Sequence, residues 1–370
     1  MQCNLMNNGS MIASKALRHA CYKLSKWIGK DYRVLSSQIK EILSASHTFS
    51  IKETHFLYFY AAVCSAWDGK SRQSRSLLKV ISANRLAEEL SGYLARSHFP
   101  APYLELFDTA TPLKTWGRVA FNKRFNKNCL IHLDGRNFPN QLAGTVPHVL
   151  DIGTGDGDFL VSVLRSLAAK GVFSEVGVVL VEKSSALLLT AEKRLRKLNM
   201  PRVVNIISFA KHVEDLDRTE RARIGELTLS FAMSAATVHH LGVQGKRRLF
   251  RWIGSLGCDL LVFELEGNEE SRSNRSVEFL FSVFTLYSAL LHELYTSSLS
   301  LVEKQRCARH FIFAEALQLL SRPYLERQNY HALTPAWTEH AQYGGFSSLT
   351  SHGFEIGNSG LRQMILDCRR

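Results

Sequence analysis

Residues 149–157 read Val-Leu-Asp-Ile-Gly-Thr-Gly-Asp-Gly, and this stretch decides the fold. Its first half is a short apolar segment of the kind that forms a buried strand, and its second half is a glycine-rich turn. A segment with apolar residues at helical spacing follows from residue 158. Glycine lets the backbone approach a ligand closely because no Cβ intervenes. The order strand, turn and helix therefore predicts a ligand site at the carboxyl end of a buried strand.

Strand and helix patterns alternate along the chain on both sides of this turn. The predicted strands are 148–152, 177–181, 202–208, 227–231, 259–264, 353–356 and 363–368. The predicted helices between the first five strands are 158–170, 184–198 and 246–256. Such alternation predicts an α/β fold, with a doubly wound and mostly parallel sheet that carries helices on both faces.

The spacing of the glycines separates this turn from a dinucleotide-binding turn. Asp158 stands where the dinucleotide pattern has its last glycine. The observed pattern, Asp-x-Gly-x-Gly-x-Gly, resembles motif I of the class I S-adenosylmethionine-dependent methyltransferases. The resemblance covers roughly residues 145–370 and is most specific over 148–182. It implies a Rossmann-like sheet of seven strands with an antiparallel C-terminal hairpin, and S-adenosyl-L-methionine as the cofactor. The cofactor-binding residues that it implies in the turn are Asp151, Gly153, Thr154, Gly155 and Gly157.

An acidic residue follows the second predicted strand. A carboxylate there can accept hydrogen bonds from both hydroxyls of a ribose, and the resemblance gives this role to Glu182. Lys183 departs from the family pattern, which usually has an apolar residue against the adenine. The aliphatic stem of Lys183 can still pack there.

The region after the third strand matches the family poorly. The family often has an acid at this place, whereas this chain has Phe209 and Ala210, which we predict as cofactor contacts. Glu214 or Asp215 would take the role of the acid if the loop is longer than in the family. Phe231, in the fourth strand, is predicted as a further cofactor contact.

Two adjacent histidines, His239 and His240, follow the fourth strand, and the segment resembles the corresponding turn of small-molecule methyltransferases. A histidine with a pKa near 6.5 can serve as a base for a hydroxyl or phenol, so both are candidate catalytic residues. The alternative is that they cap or pack against the next helix. A base is optional, because the sulfonium already activates the methyl group. Glu264 and Glu266 end the fifth strand and either orient an acceptor or form ion pairs and caps.

The remaining chain reads as helical. We predict a helical N-terminal region over 1–140, serving as a cap or for dimerisation, before a methyltransferase domain over 141–370. Within the first region, Ser50 and Glu53 form a capping-box pattern, 74–95 is predicted as one helix and 103–140 as a linker. An insertion over 271–330 is predicted to form two long helices, about 275–295 and 301–320. Its aromatic residues belong either to a lid over the acceptor or to plain core and a dimer interface.

The chain has a formal net charge of +13, and residues 1–130 carry 19 Lys and Arg against 8 Asp and Glu. This basic third is a solvated helical face, a site for an acidic small substrate or carrier protein, or a nucleic-acid site. The seven cysteines lack metal-ligand spacing and an even count, which predicts no metal site, no disulfide framework and a cytoplasmic location. We find no signal-peptide pattern and predict no transmembrane helix.

These observations favour a methyltransferase (EC 2.1.1 class) that acts on a small molecule, with oxygen as the first choice of acceptor atom, in secondary metabolism. An RNA or protein methyltransferase that uses the basic N-terminal third is the alternative enzyme. The non-enzymatic alternative is a scaffold protein that binds the cofactor and has no catalytic activity. The acceptor atom and the oligomeric state, including a homodimer, are left open by the sequence.

Overall fold

Seven strands form one mixed sheet in a computed structural model that describes residues 11–45, 49–101, 110–138, 145–356 and 360–370. The strands are β1 (His148–Ile152), β2 (Glu175–Val181), β3 (Arg202–Phe209), β4 (Leu229–Ala235), β5 (Asp259–Leu265), β6 (Ser348–Glu355) and β7 (Arg362–Arg369). Their order is β3-β2-β1-β4-β5-β7-β6. The first five strands are parallel, and β7 lies antiparallel between β5 and β6. This confirms the predicted Rossmann-like sheet with its antiparallel hairpin.

The described residues also form fifteen α-helices. The helices before the sheet are α1 (Lys15–Ser25), α2 (Tyr32–Ala45), α3 (Ile51–Trp67), α4 (Ser71–Val80), α5 (Arg85–Arg96), α6 (Ala110–Gly117) and α7 (Ala120–Asp134). Those between the parallel strands are α8 (Asp158–Ala169), α9 (Ser185–Leu195), α10 (Arg218–Gly225) and α11 (Val243–Ser255). Those after β5 are α12 (Val277–Thr296), α13 (Leu301–Cys307), α14 (Phe313–Ser321) and α15 (Thr334–Gln342).

The chain divides into two compact units. The helical unit comprises Met1–Leu106, Gly267–Tyr330 and Asn358–Leu361, and the sheet unit comprises Phe107–Glu266, His331–Gly357 and Arg362–Arg370. The predicted domains, 1–140 and 141–370, are two continuous stretches of chain, whereas each unit combines several separate stretches. The predicted boundary at residue 140 stays a prediction.

In the helical unit, the N-terminal helices pack against the insertion that follows β5. The ring of Phe56 in α3 meets that of Phe281 in α12 edge-on at 5.1 Å, and Phe59 lies 5.0 Å from Phe284. The Tyr295 hydroxyl at the end of α12 donates a hydrogen bond of 2.7 Å to the Glu89 carboxylate in α5. Aromatic pairs of this kind stabilise a core by more than the burial of their apolar area alone.

The helix α12 is the one described helix that is long and apolar enough to cross a membrane, and 67% of its most apolar stretch is buried. Its buried residues include Phe279, Phe284 and Tyr287. Because these side chains contribute to the interior of the helical unit, α12 is a core helix of that unit.

One helix prediction is wrong. The single helix expected over 74–95 is two helices, because Asn84 caps a new one: its side chain accepts a hydrogen bond of 3.2 Å from the Ala87 N–H. The segment expected as a helix over 301–320 is helical throughout, with a π-helical turn at Ala308–Ile312. The capping box of Ser50 and Glu53 is present as predicted.

The segment 103–140 is not the linker that we expected. Its described part forms α6 and α7, and α7 buries Phe121, Phe125, Cys129 and Leu133, which recur every four residues. That spacing places all four on one face of the helix. The basic residues between them masked this pattern in the sequence. Residues 102–109 and 139–144 lie outside the described residues.

An ion cluster fixes the end of α7 to the sheet. The Arg136 side chain is 1% exposed and lies against two carboxylates, with Nη2 at 2.6 Å from Asp259 Oδ2 and 3.1 Å from Asp367 Oδ1. Burial alone would raise the pKa of Asp367, but hydrogen bonds and charges from His132, Arg136 and Arg369 hold it well below its usual value. The cluster joins the chain after α7 to β5 and β7.

Candidate functional site

The glycine turn between β1 and α8 is built from three glycines with left-handed backbone conformations. Their φ angles are +74° at Gly153, +57° at Gly155 and +78° at Gly157. A side chain is strained at each of these positions because of the Cβ. The turn therefore needs glycine at each position for conformation alone.

The surroundings of the three glycines differ. A Cβ on Gly153 would lie 2.1 Å from the Thr237 side chain, and one on Gly157 would lie 2.8 Å from the Ala191 Cβ in α9. A Cβ on Gly155 would meet nothing within 4 Å. Gly153 and Gly157 thus serve close packing within the protein, whereas Gly155 borders open space. That open space is where a ligand can approach the backbone.

Glu182 lies directly against the glycine turn. Its Oε2 accepts a hydrogen bond of 3.0 Å from the Gly155 N–H, and its Oε1 accepts one of 2.9 Å from the Ser184 N–H. The Glu182 N–H donates to the carbonyl of Phe209 over 3.1 Å. The structure therefore brings together the turn, the acid after β2 and the end of β3, all at the carboxyl edge of the sheet.

Asp151, the last residue but one of β1, is buried beneath the turn and 4% exposed. Burial raises the pKa of its carboxyl to about 7; a hydrogen bond from Thr154 opposes the shift and the nearby Glu182 charge adds to it. The Thr154 hydroxyl also donates to the carbonyl of Asp151 over 3.2 Å. The Glu182 carboxylate and the buried Asp151 carboxyl group thus both stand at the turn.

The three other predicted cofactor contacts, Phe209, Ala210 and Phe231, do not all lie at the glycine turn. Phe209 is buried at the end of β3, and Ala210 is exposed just after it. Phe231 is fully buried in β4, opposite Val149 near the start of β1, and its ring packs at 5.2 Å on Phe138. Phe231 therefore lies toward the other end of the strands from the glycine turn, and its contact with a cofactor stays a prediction that the geometry does not favour.

The two histidines after β4 lie in a short 3₁₀ helix, Val238–His240. His239 is 5% exposed, and its Nδ1 lies 2.8 Å from Oε2 of Glu264 at the end of β5. Oε1 of Glu264 accepts hydrogen bonds from the backbone N–H groups of Thr237 at 2.8 Å and His239 at 3.1 Å. Glu264 therefore caps the 3₁₀ helix and holds the His239 ring. His240 is half-buried.

A third histidine joins this group, and the sequence reasoning missed it. The His331 ring stacks on the His239 ring with centroids 4.1 Å apart and an angle of 14°, and the His240 ring lies 4.1 Å from His239 on a tilt of 48°. His331 is 4% exposed. It comes from the loop before α15, where no neighbouring motif marks it in the sequence.

Burial dominates the electrostatics of the histidine group. It lowers the pKa of His239 to about 3 and that of His331 well below its usual value, and the charge of Lys246 lowers both further. Burial raises the pKa of Glu264. Lys246 is itself fully buried, with Nζ 4.2 Å from the centre of the Trp337 ring. Because of this burial, the group consists of neutral imidazoles beside a buried carboxyl group.

Glu266, the other acid after β5, has a structural role. It lies 2.6 Å from Nε of Arg362 and accepts a hydrogen bond of 3.2 Å from the Thr334 N–H. These contacts are an ion pair and a helix cap, which we predicted as the alternative to orientation of an acceptor.

Comparisons with known proteins address the fold. No protein-family model matches the chain, and no curated protein matches it. The crystal structure of SCL7 in Oryza sativa is similar with a TM-score of 0.58 at 13% identity, and covers 96% of this chain and 100% of that one. The S-adenosylmethionine-dependent methyltransferase SibL in its apo form has a TM-score of 0.42 at 12% identity over 90% of this chain and 77% of its own. The CMeT domain of the citrinin polyketide synthase has a TM-score of 0.40 at 14% identity over 90% and 69%.

At these identities a likeness concerns the fold alone, and the two methyltransferases score too low to add to it. The seven strands, mostly parallel, and the antiparallel C-terminal hairpin are the features that the sequence resemblance implied. The chain thus has a Rossmann-like fold, as its sequence resemblance to the class I S-adenosylmethionine-dependent methyltransferases implied.

Proposed function

We propose that this chain is an S-adenosylmethionine-dependent methyltransferase that acts on a small-molecule acceptor, at oxygen in the first instance. One observation carries the proposal: the Gly155 N–H donates to the Glu182 carboxylate beside the open space at Gly155. The two residues that the family resemblance assigns to the cofactor therefore meet in one place.

The residues of the turn suit this cofactor in shape and charge. Each oxygen of Glu182 accepts one backbone N–H, and a carboxylate has further lone pairs with which to accept two ribose hydroxyls. Glu182 supplies negative charge for a cofactor that would carry an ammonium and a sulfonium group. The open space at Gly155 allows such a ligand to approach the backbone closely.

A bound S-adenosylmethionine would supply a methyl group activated by its sulfonium sulfur, and Glu182 and the turn at Gly155 would hold it. The protein has to align the acceptor oxygen, exclude water and remove the hydroxyl proton.

The histidine group is proposed to accept the proton that the acceptor hydroxyl loses. His240 is half-buried, whereas His239 is buried and held by Glu264. We therefore assign the base to His240, and the base role of His239 stays a prediction. Thr237 connects the two parts of the site, since its N–H donates to Glu264 and its side chain packs on Gly153.

The helical unit is the proposed source of acceptor specificity. Its insertion leaves the sheet directly after β5, the strand that ends in Glu264. The cytoplasmic location, the role in secondary metabolism, a carrier-bound acceptor and a homodimer are further parts of this proposal.

The test uses S-adenosylmethionine with a labelled methyl group and the full-length chain. Phenols, hydroxy acids, amines, a protein mixture and RNA are offered in parallel, and products are identified by mass spectrometry. We expect label on the oxygen of a small hydroxylated acceptor, and none with Gly155→Ala. Label on RNA or protein would support the alternative enzyme. A chain that binds the cofactor and labels nothing across all five acceptor classes would contradict the proposed activity and support the scaffold.

A further inference from the structure

Three buried side chains of metal-ligating type converge beside the glycine turn. His239 comes from the 3₁₀ helix after β4, Glu264 from the end of β5 and His331 from the loop before α15. One ligand atom from each lies within 4.8 Å of the others. Their exposed fractions are 5%, 0% and 4%. Side chains of this kind rarely gather in a protein interior unless they are paired or coordinate a metal.

Glu264 is oriented as a metal ligand would be. The backbone N–H groups of Thr237 and His239 both bind Oε1. These bonds fix the carboxylate and direct Oε2 at the His239 ring, 2.8 Å from Nδ1. One oxygen is thus held by the protein and the other is presented to the cluster. Hydrogen bonds that position a ligating carboxylate in this way are general features of metal sites.

His331 is oriented in a similar manner. Its Nδ1 lies 3.3 Å from the carbonyl oxygen of Leu265. A carbonyl only accepts, so Nδ1 carries the proton and the lone pair of the ring lies on Nε2. A ligating histidine commonly donates its other ring N–H to a backbone carbonyl. An imidazole with a ring nitrogen free to bind is the form that ligates a metal ion.

We propose that His239, Glu264 and His331 bind one divalent first-row transition metal ion, for which Zn²⁺ is the best match. Two histidines and one monodentate carboxylate are a known ligand set for zinc, and three protein ligands leave one coordination position open. The metal would displace the proton that lies between His239 Nδ1 and Glu264 Oε2, and this proton would leave to solvent.

The site also suggests the acceptor, and this part rests on the proposed function. Thr237 links Glu264 to the glycine turn, so the open coordination position lies near the carboxyl end of β4. An acceptor oxygen bound there would lose its proton more easily because of the metal charge. The acceptor class is then a phenol or another hydroxyl compound that can ligate the metal.

The first experiment measures metal binding alone. The full-length chain is stripped with a chelator, and Zn²⁺ is titrated by calorimetry, with Co²⁺ as a spectroscopic probe. We expect one Zn²⁺ per chain and visible Co²⁺ bands with nitrogen ligation. We expect His331→Ala to weaken Zn²⁺ binding by about 100-fold or more. His340→Gln is the matched control, since His340 is 3% exposed in the same unit and outside the cluster; its binding should equal that of the wild type.

Two outcomes would overturn the metal site: a folded wild-type chain that takes up no stoichiometric Zn²⁺, or uptake that His331→Ala leaves unchanged. If His331→Ala does not fold, His331→Gln decides, and loss of Zn²⁺ binding is expected for it. Calorimetry with S-adenosylmethionine on the chelated chain tests the proposed function separately. Retained cofactor binding with methyl transfer that returns only on addition of Zn²⁺ supports both, whereas cofactor binding without any Zn²⁺ uptake defeats the metal site alone.

Discussion

The backbone N–H of Gly155 donates a hydrogen bond of 3.0 Å to the carboxylate of Glu182, two residues that are 27 positions apart in the chain. The contact exists because β1 and β2 are parallel neighbours, so the turn after one strand and the residue after the other share an edge of the sheet. It joins the two strongest sequence signals into a single site.

Glu182→Gln should weaken S-adenosylmethionine binding. The amide loses the charge and half of the acceptor capacity that the ribose hydroxyls would use. A hydrogen bond to a charged group contributes about 1.5–3 kcal/mol, so the dissociation constant should rise by roughly 10- to 100-fold. Calorimetry measures this change. Glu175→Gln, at the other end of β2, is the control and should bind as the wild type does. Equal affinity in both variants would contradict the role of Glu182.

Gly155→Ala should separate conformational strain from ligand approach. A Cβ at Gly155 has open space but a left-handed φ, and the same is true of Gly171 between α8 and β2. Each alanine should cost about 1–2 kcal/mol of folding stability, measured by urea unfolding. Only Gly155→Ala should abolish cofactor binding. If Gly171→Ala abolished it as well, strain rather than ligand approach would be the cause.

Asp151 should make stability depend on pH in the direction opposite to a paired carboxylate. Its pKa is about 7 in the folded chain and about 3.9 in an unfolded one. Its contribution is therefore fully present below about pH 4 and is lost as the pH rises toward about 7, by roughly 1 kcal/mol per pH unit. Asp151→Asn lacks this loss, so its stability relative to the wild type should rise between about pH 5 and pH 8. Unfolding of both proteins at the two pH values tests this; a constant difference would rule it out.

The ion cluster at Arg136 should matter more than a surface ion pair. Asp367→Asn leaves the buried guanidinium with one carboxylate fewer, and such losses cost about 3–5 kcal/mol. The exposed pair of Arg247 and Glu339 is the comparison, and Glu339→Gln should cost less than about 1 kcal/mol. Denaturant unfolding measures both. Similar losses in the two variants would show that Asp367 contributes no more than a surface charge.

His240→Ala should reduce kcat by about 100-fold or more while leaving S-adenosylmethionine affinity unchanged, because a positioned base acts on the acceptor and not on the cofactor. Steady-state kinetics with the acceptor found by labelling, together with calorimetry, measures the two effects. His352→Ala, an exposed histidine of β6, serves as the control. An unchanged kcat in His240→Ala would remove the base role from this residue.

The sequence predicted the sheet well because its evidence is local. The apolar strands and the glycine turn each lie within a few residues, and their alternation allows few topologies. Strand ends were less certain: β4 begins at Leu229 and ends at Ala235, whereas we expected 227–231. Apolar residues continue on both sides of that strand, so its pattern has no sharp boundary.

The histidine group could be predicted only in part. His239 and Glu264 each stood out, because each follows a strand at the carboxyl edge of the sheet. His331 could not be recognised, since it reaches the group through a loop that returns to the sheet unit after the long insertion. Such a contact depends on how the chain returns to the sheet, and no local pattern around residue 331 encodes that path.

Calorimetric titration of S-adenosylmethionine into the full-length wild-type chain tests the central claim most directly. The account predicts saturable binding of one molecule per chain. A folded wild-type chain that binds none would contradict the account, and the turn at Gly155 would then serve structure alone or another ligand.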